Sequence, residues 1–415
     1  MPKSVGFKDT EILGLKLVND LVKQIHGTIE LEIYKKEKEK VNKKKIFYVL
    51  LSFLIVLGFV TGLEAQKIKV VNGVEIISNP KNPKAPKDVP SKLVLKEDFT
   101  VGDSENLDEM ISEVSFLTVD DHDNLFAVDI KEMNVKVYDS SGEYVRTIGR
   151  KGQGPGELNI PTGILITPDN QLLILDIINR RMSYFTLEGE FTKNVSIADK
   201  TSLANLVMDD KGNMAAMELV LEGKQMFWYI RKYDKDLKPL FDINKVEFII
   251  PVAGKKMNPF DFTQLNVFDS KSNLYFGDGK DYVIKIFAPE GKHFRTIEKK
   301  YDPTKITKED IQQMLESIPN VTGVNIKDML EFPKYYPAYE SVTLDEDGRL
   351  FVRSYKKGKE KDVFFLDIFS TDGKYFSTLA TKANPRFWKN GKMYSVEEND
   401  DDIKIIKRYS VSWKN

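Results

Sequence analysis

A repeat dominates the sequence from about residue 92 onward. Each unit has an apolar strand, an Asp/Asn/Gly turn, a second apolar strand, a strand bearing Tyr or Phe, a glycine turn and a last strand. The first turn recurs at six positions, Asn124, Asn170, Asn213, Asn273, Gly348 and Gly391. A period of roughly 40 to 50 residues with four short strands is typical of a β-propeller blade, whose twisted sheet needs neighbours on both faces. The repeat therefore predicts an all-β, six-bladed β-propeller.

The two ends of the repeat region complement each other. The sixth unit lacks an obvious fourth strand, and the segment KLVLKEDF, residues 92–99, precedes the first unit without a partner. Pairing these two segments would close the ring and remove an open sheet edge. We therefore expect the propeller, residues 92–415, to be closed by an N-terminal strand.

Two connections between units are longer than the others. The segment TKEDIQQMLESIP has Thr307 and Asp310 at capping-box spacing and an apolar i, i+3, i+4, i+7 face that includes Met314, which predicts a short helix ended by Pro319. The other insertion, about residues 242–262, precedes the fourth unit. Both join the last strand of one blade to the first strand of the next, so we expect them on one face. Such insertions often mark a binding side, and packing over a blade edge is the alternative.

The repeat also supports a family resemblance. The stretch DNLFAVDIKEMNVKVYDSSGEYVRTIGRKGQGPGELNIP, residues 123–161, resembles an NHL-type repeat, and residues 66–415 resemble exported six-bladed propeller proteins common in bacteria such as the Bacteroidetes. This resemblance implies a propeller fold, an exported location and a binding face, and it brings no catalytic residues. Blades two to six lack the Gly-rich loop, so NHL-type binding properties are not carried over.

An apolar run of 15 residues, IFYVLLSFLIVLGFV at residues 46–60, predicts export. Three lysines precede it and a small-residue stretch ending at Ala65 follows it, which is typical of a signal peptide. A membrane-spanning helix needs about 20 apolar residues. We expect residues 41–65 to be a signal peptide cleaved after Ala65, with an uncleaved anchor as the alternative. In both cases the lysines stay in the cytoplasm, which places the rest of the chain in the periplasm or at the cell surface.

Forty residues precede this signal, although a secretory signal should begin at the N-terminus. The segment LGLKLVNDLVKQIHGTIELE, residues 13–32, resembles the glycine-box end of a sensor histidine kinase ATP-binding domain through Gly14 and Gly27. The other parts of such a domain are absent from the sequence, so this fragment cannot act as a kinase. An amphipathic helix that needs a partner is the alternative. We expect translation to begin at Val41, which would make residues 1–40 a mis-assigned start or the fused tail of a kinase.

A linker is predicted between the signal and the propeller. Residues 66–91 contain four prolines, at positions 80, 83, 86 and 90, among Lys and Asn. This composition favours an extended tether or an arm along a blade edge.

Composition excludes several kinds of site. The chain has no Cys, which excludes disulfides, thiolate zinc sites and a cysteine nucleophile, and its three His make a multi-histidine metal centre hard to build. Its net charge of −1 argues against nucleic acid as a partner. No Ser-His-Asp spacing, HExxH motif or paired-carboxylate motif is present.

Acidic residues near the ends of second strands are the main candidates for a site. Asp129, Asp176 and Asp278 could form a carboxylate ring that holds Ca²⁺, or they could cap turns by accepting hydrogen bonds from N–H groups. Glu218 and Arg353 stand near the equivalent place in two other units, which interrupts a symmetric ring. No other cofactor is expected.

The predicted ligand face combines several of these features. It carries the turns at Asp129 and Asp176 and the helix around Met314, together with Arg150 and Lys151 of the Gly-rich segment GRKGQGPGEL. A strand and not a helix follows that segment, so it is interpreted as an interblade loop and not as a phosphate-binding loop.

These observations favour a binding module over an enzyme. The leading interpretation is an exported, non-catalytic propeller that binds a protein, peptide or glycan. The alternative is a periplasmic, Ca²⁺-assisted hydrolase or lyase, because a propeller fold does not fix function. Contact with a membrane is expected only through residues 46–63, if the signal is not cleaved.

Overall fold

A computed structural model describes residues 66–86, 90–200, 202–248, 256–261, 265–318, 326–360 and 362–414. These residues belong to one compact unit, Ala65–Asn415. The predictions of a start at Val41, a helical extension with its kinase-like segment, and a signal peptide or anchor lie outside the described residues. Within the described ranges, none of the helices has the length and apolar character needed to cross a membrane.

The described chain is built almost entirely from β-strands. It begins with β1 Lys67–Val71, β2 Val74–Asn79 and β3 Lys92–Val101. Blade 1 contains β4 Val114–Val119, β5 Leu125–Asp129, β6 Asn134–Tyr138 and β7 Tyr144–Ile148. Blade 2 contains β8 Pro161–Ile166, β9 Gln171–Asp176, β10 Arg181–Thr186 and β11 Phe191–Ser196. Blade 3 contains β12 Ser202–Met208, β13 Met214–Glu222, β14 Gln225–Tyr233 and β15 Pro239–Phe248.

Three further blades complete the ring. Blade 4 contains β16 Leu265–Phe268, β17 Leu274–Gly277, β18 Val283–Phe287 and β19 His293–Lys299. Blade 5 contains β20 Ser341–Leu344, β21 Leu350–Lys357, β22 Phe364–Phe369 and β23 Tyr375–Thr381. Blade 6 contains β24 Pro385–Lys389, β25 Lys392–Glu398 and β26 Lys404–Lys414. The first strands of successive blades contact one another in order, and β24 contacts β4 again. The prediction of an all-β, six-bladed propeller is confirmed.

Strand β3 is the fourth strand of blade 6. It pairs antiparallel with β26, from Lys92 opposite Lys414 to Val101 opposite Ile406. Leu93 of β3 is buried in the cluster that joins blades 5 and 6. One blade thus combines strands from opposite ends of the described chain.

The segment predicted as a linker contains a hairpin. Strands β1 and β2 pair antiparallel, and β2 pairs in parallel with β19, so blade 4 has six strands. Asn72 and Gly73 form the connecting turn with φ of 50° and 78°, the left-handed conformation that Asn-Gly hairpin turns adopt. Ile77 of β2 is fully buried. Residues 67–79 are therefore part of the folded propeller, and the prolines follow the hairpin.

Apolar packing lies between the blades. Six clusters of buried side chains occupy the six interfaces between neighbouring sheets. The smallest joins blades 3 and 4 through Met217, Ile230 and Phe276. Each blade thus buries both faces against its neighbours, which is the reason that the repeat needs a closed ring.

The first turn of each unit has a local physical cause. Asp120 accepts hydrogen bonds from the N–H groups of His122 and Asn124, each at 2.8 Å, and from the Asn124 side-chain amide at 2.7 Å. The pairs Asp209–Asn213 and Asp269–Asn273 repeat this arrangement. An Asp followed four residues later by Asn therefore fixes the turn between first and second strands.

The two insertions meet on one face. Helix α1, Lys308–Ser317, has Thr307 as its N-cap and a complete capping box with Asp310, so the helix prediction is confirmed. A 3₁₀-helix follows at Ile326–Met329. The Met257 N–H group donates to the Met329 carbonyl at 2.9 Å, which connects the insertion before blade 4 to the one before blade 5. The earlier insertion begins later than predicted, because β15 continues to Phe248 along β14.

Candidate ligand-binding site

A cavity of about 630 Å³ lies between blades 5 and 6, beside the two insertions. Its wall includes Met314 of α1, Arg353 of β21 and Arg386 of β24. The volume falls in the range of about 300 to 1,000 Å³ that small-molecule sites usually have. This cavity is the candidate site.

Three aromatic side chains form one wall of the cavity. The rings of Tyr336 and Tyr355 stack with centroids 4.4 Å apart and planes 12° from parallel. The edge of Phe260, from the other insertion, packs against both at 5.7 and 6.0 Å. Burial, together with nearby carboxylates, raises the pKa of both tyrosines, so their hydroxyls stay protonated and can donate hydrogen bonds. The wall offers apolar faces with polar edges.

Arg353 reverses the charge found at the same register position in other blades. It lies opposite Ser341, as Asp129 lies opposite Val114. The buried guanidinium of Arg353 forms an ion pair with Glu340 and lies 4.0 Å from the ring centroid of Phe364. A basic group therefore occupies the inner end of blade 5.

Arg386 is the arginine of the cavity wall that has no hydrogen-bond or ion-pair partner among the described residues. It lies at a β-bulge in β24, since Pro385 pairs with Ser395 and Phe387 with Tyr394. Bulges of this kind redirect side chains and are common beside functional sites. Arg386 is exposed to the cavity, and within the described residues it makes neither a hydrogen bond nor an ion pair.

The surroundings of Arg386 are crowded although its surface reaches the cavity. Desolvation by the surrounding protein atoms lowers the pKa of Arg386. Glu340 acts in the opposite sense, and the like charge of Arg353 lowers the pKa further. An arginine stays protonated under all ordinary conditions, so this is a partly desolvated positive charge.

Helix α1 is fixed to blade 5 by charge. Asp310 accepts a hydrogen bond from the Thr307 N–H group at 2.9 Å and forms an ion pair with Lys357. Burial alone would raise the pKa of Asp310, but the hydrogen bonds from Lys357 and Thr307 outweigh it and lower the pKa. These contacts hold the helix, and with it Met314, at the cavity.

Asp129 stabilises a turn and does not line the cavity. Its carboxylate accepts hydrogen bonds from the N–H groups of Ser112, Glu113, Lys131 and Glu132 at 2.6 to 3.2 Å. Two of these donors belong to the segment that leads into blade 1. The carboxylate thus ties that segment to the turn after β5, as the turn-capping alternative predicts.

Asp176 acts in a similar way in blade 2. It accepts hydrogen bonds from the Asn159 N–H group at 3.0 Å and the Asn179 amide at 2.7 Å, and Arg181 lies 3.5 Å away. Burial raises the pKa of Asp176 against these contacts. This carboxylate does not line the cavity either.

Asp278 lies one residue beyond the predicted position. Strand β17 ends at Gly277, which pairs with Leu265 in the register that Asp129 and Asp176 occupy elsewhere. A β-carbon at Gly277 would overlap the hydroxyl of Tyr339, so this blade has no room for a side chain there. Asp278 instead accepts the Lys280 N–H group at 3.2 Å and does not line the cavity.

Arg150 and Lys151 also lie away from the cavity. Arg150 pairs with Glu157 at 3.0 Å, and Lys151 forms an isolated bridge with Leu158. Of the seven residues predicted for the ligand face, the structure brings Arg353 and Met314 into the cavity wall. Across the described part of the chain, no group of three His, Asp or Glu side chains is placed to hold a metal ion. Calcium binding stays a prediction from the sequence.

Sequence reasoning missed Phe260, Tyr336, Tyr355 and Arg386. Phe260 and Tyr336 lie in insertions, where no repeat indicates which side chains point inward, and Tyr355 lies in β21 at the register shift between Ser354 and Lys357. Arg386 lies in the correctly identified strand RFWK, but a bulge sets its direction, and the alternation of a regular strand does not reveal it. The equivalent bulges of blades 1 and 2 carry the neutral residues Ser115 and Thr162.

Comparison with known proteins supports the architecture. A family model described as a 6-bladed beta-propeller, DUF5128, matches residues 104–336. A Bacteroides fragilis protein inferred to be exported is 15% identical, with a TM-score of 0.53, over 82% of this chain and 100% of its own. No curated protein matches the sequence.

Two enzymes have more distant structural similarity. Virginiamycin B lyase from Staphylococcus aureus is 8% identical, with a TM-score of 0.44, over 77% of this chain and 99% of its own. A gluconolactonase from Xanthomonas campestris is 12% identical, with a TM-score of 0.46, over 80% of this chain and 99% of its own. At these TM-scores neither enzyme supports an argument about the activity of this chain.

Proposed function

Since the chain belongs to the DUF5128 family of six-bladed β-propellers, we propose that it is an exported, non-catalytic binding module whose ligand is a short glycan. The ligand occupies the cavity between blades 5 and 6. The observation that carries the proposal is the wall formed by Phe260, Tyr336 and Tyr355 in a cavity that also has polar side chains.

Sugar rings have the chemistry that this cavity complements. One face of a pyranose ring presents C–H groups, which pack against aromatic faces, while its hydroxyls need hydrogen-bond partners around the ring edge. Asn384, Glu397 and Glu398 lie in the same cavity wall and supply such partners. A neutral apolar ligand would leave these polar groups without partners, which costs binding free energy.

Three of the carboxylates that line the cavity are engaged in structural contacts. Glu340 pairs with Arg353, and Asp310 pairs with Lys357. Glu397 accepts hydrogen bonds from the hydroxyls of Ser395 and Tyr409, both at 2.7 Å. Groups held in this way position a ligand, whereas a general acid or base needs a proton that it can exchange with substrate. This arrangement favours binding over the hydrolase or lyase alternative.

The proposal is tested by titrating the full-length protein with a panel of neutral and acidic oligosaccharides and with peptides in a calorimeter. Tyr336→Ala should weaken the best glycan by about tenfold or more, because it removes half of the stacked pair. Tyr335→Ala is the matched control, since Tyr335 is the neighbouring tyrosine, is 41% exposed and does not line the cavity.

Three results would contradict the proposal. The first is binding of peptides with no binding of any glycan. The second is an equal loss of affinity in the Tyr335→Ala control. The third is turnover, seen by mass spectrometry as shortened or unsaturated sugars after incubation, which would support the hydrolase or lyase alternative.

A further inference from the structure

Arg386 differs from every other arginine of the described chain. Each of the others donates at least one hydrogen bond to a carboxylate or a carbonyl group; they are Arg146, Arg150, Arg180, Arg181, Arg231, Arg295, Arg349, Arg353 and Arg408. Arg386 donates none to the described residues, although it lies in a cavity wall where protein displaces much of the water. Its guanidinium is exposed to the cavity, so its N–H donors are available to an anion.

The neighbouring charges limit what that anion can be. Glu340 forms its ion pair with Arg353 and attracts Arg386 without a hydrogen bond or ion pair to it. Glu397, Glu398 and Asp402 also line the cavity and would repel a doubly charged phosphate more strongly than a singly charged group. A planar carboxylate matches the single positive charge and the fork of donors that a guanidinium presents.

We infer that the bound glycan contains a uronic acid, whose carboxylate accepts hydrogen bonds from the guanidinium of Arg386. The aromatic wall of the same cavity packs against the sugar. This inference rests on the proposed glycan binding and adds the class of sugar. Different side chains contact the sugar ring and the carboxylate of the ligand, so the two contacts can be tested separately.

The test compares uronic acids with their uncharged esters. The full-length protein is titrated with trimers of galacturonate, glucuronate and mannuronate and with the methyl esters of the same trimers. At least one acid trimer should bind, and its ester should bind roughly tenfold to a hundredfold more weakly, the usual range for a hydrogen-bonded charge. The ester keeps the ring and the hydroxyls, so the difference isolates the carboxylate.

Variants assign that difference to one residue. Arg386→Gln should weaken the acid trimer to the level of its ester and leave the ester unchanged. Lys404→Gln is the matched control, because Lys404 is another exposed cation of the same cavity, and it should keep most of the preference for the acid. Since Arg386 makes neither a hydrogen bond nor an ion pair with the described residues, the Arg386→Gln circular dichroism spectrum should match that of the wild type.

Each other outcome is decisive. Equal binding of acids and esters by the wild type overturns the inference and leaves glycan binding intact, and this comparison stands even if Arg386→Gln fails to fold. If Lys404→Gln loses as much affinity for the acid trimer as Arg386→Gln, the preference for the acid comes from general electrostatic attraction, and the specific contact with Arg386 is refuted. Absence of binding to every acid trimer also overturns the inference. Binding of a Glu-rich peptide alone overturns both the inference and the proposed function.

Discussion

Asn79 should be a major source of stability, although it lies in a segment whose composition suggests a flexible linker. It is 3% exposed at the end of β2. Its side-chain amide donates to the carbonyls of Glu298 at 3.1 Å and Gly373 at 3.0 Å, and its oxygen accepts the Tyr375 N–H group at 2.8 Å. One side chain thus joins the hairpin to blades 4 and 5.

Asn79→Ala removes all three of these hydrogen bonds. At about 1 kcal/mol each, the loss in the free energy of unfolding is roughly 3 kcal/mol, and an unpaired buried N–H group at Tyr375 would add to it. The assay is urea denaturation followed by tryptophan fluorescence, since Trp228 reports on blade 3 and Trp388 and Trp413 report on blade 6.

Asn194→Ala is the control for Asn79→Ala. Asn194 is an exposed residue of β11, at the outer edge of blade 2, where a substitution should change stability by no more than about 0.5 kcal/mol. A loss below about 1 kcal/mol for Asn79→Ala would refute the reasoning, because the hairpin would then be a tether that rests on the propeller without stabilising it.

Two more predictions concern closure of the ring and the helix. A chain that begins at residue 102 lacks β3 and leaves β26 as an open edge, so it should aggregate more in size-exclusion chromatography than a chain that begins at residue 86, which also lacks the hairpin but keeps β3; equal elution of the two would contradict closure by β3. Asp310→Ala should cost about 1 kcal/mol, because it removes the capping-box hydrogen bond from the Thr307 N–H group and the ion pair with Lys357. The pKa of Asp310 is lowered in the folded protein, so its stabilising contribution is present above its unfolded pKa of about 4 and disappears as the pH falls through the folded value. Thermal midpoints should therefore fall more steeply with acid for the wild type than for Asp310→Ala, and parallel pH curves would contradict this.

The fold could be predicted from the sequence because its signals are local and repeated. A turn such as Asp120–Asn124 is fixed by hydrogen bonds within five residues, and it returns in most blades with similar residues. Helix α1 could be predicted for the same reason, since Thr307 and Asp310 form the capping box within four residues of the chain. Interactions between residues close in the chain leave a pattern that is visible in the sequence.

The hairpin of residues 67–79 shows where composition misleads. The turn residues Asn72 and Gly73 are a strong hairpin signal, but four prolines between residues 80 and 90 dominate the composition of the segment. The pairing of β2 with β19 joins residues more than two hundred positions apart. Nothing local to either strand indicates that contact, so the sequence alone favoured a linker.

The candidate site was not predicted because it lies where the residues of the blades differ from the repeat pattern. One register position, opposite the start of the first strand, holds Asp129, Asp176, Gly277, Arg353 and Ser395 in blades 1, 2, 4, 5 and 6. In blade 3, Glu218 lies one position further along, opposite Leu203. In blades 1 and 2 the carboxylate accepts hydrogen bonds from N–H groups of the incoming chain.

Blades 4, 5 and 6 have no carboxylate at this position, and in blades 5 and 6, which border the cavity, the incoming chain is held in other ways. In blade 5 the charge is reversed, and Arg353 takes Glu340 as its partner. In blade 6 the Ser395 hydroxyl accepts the Asn384 N–H group at 2.8 Å, and the bulge that follows directs Arg386 toward open space. A search for residues that recur in the repeat therefore finds the structural carboxylates, whereas the residues suited to binding are those that depart from it.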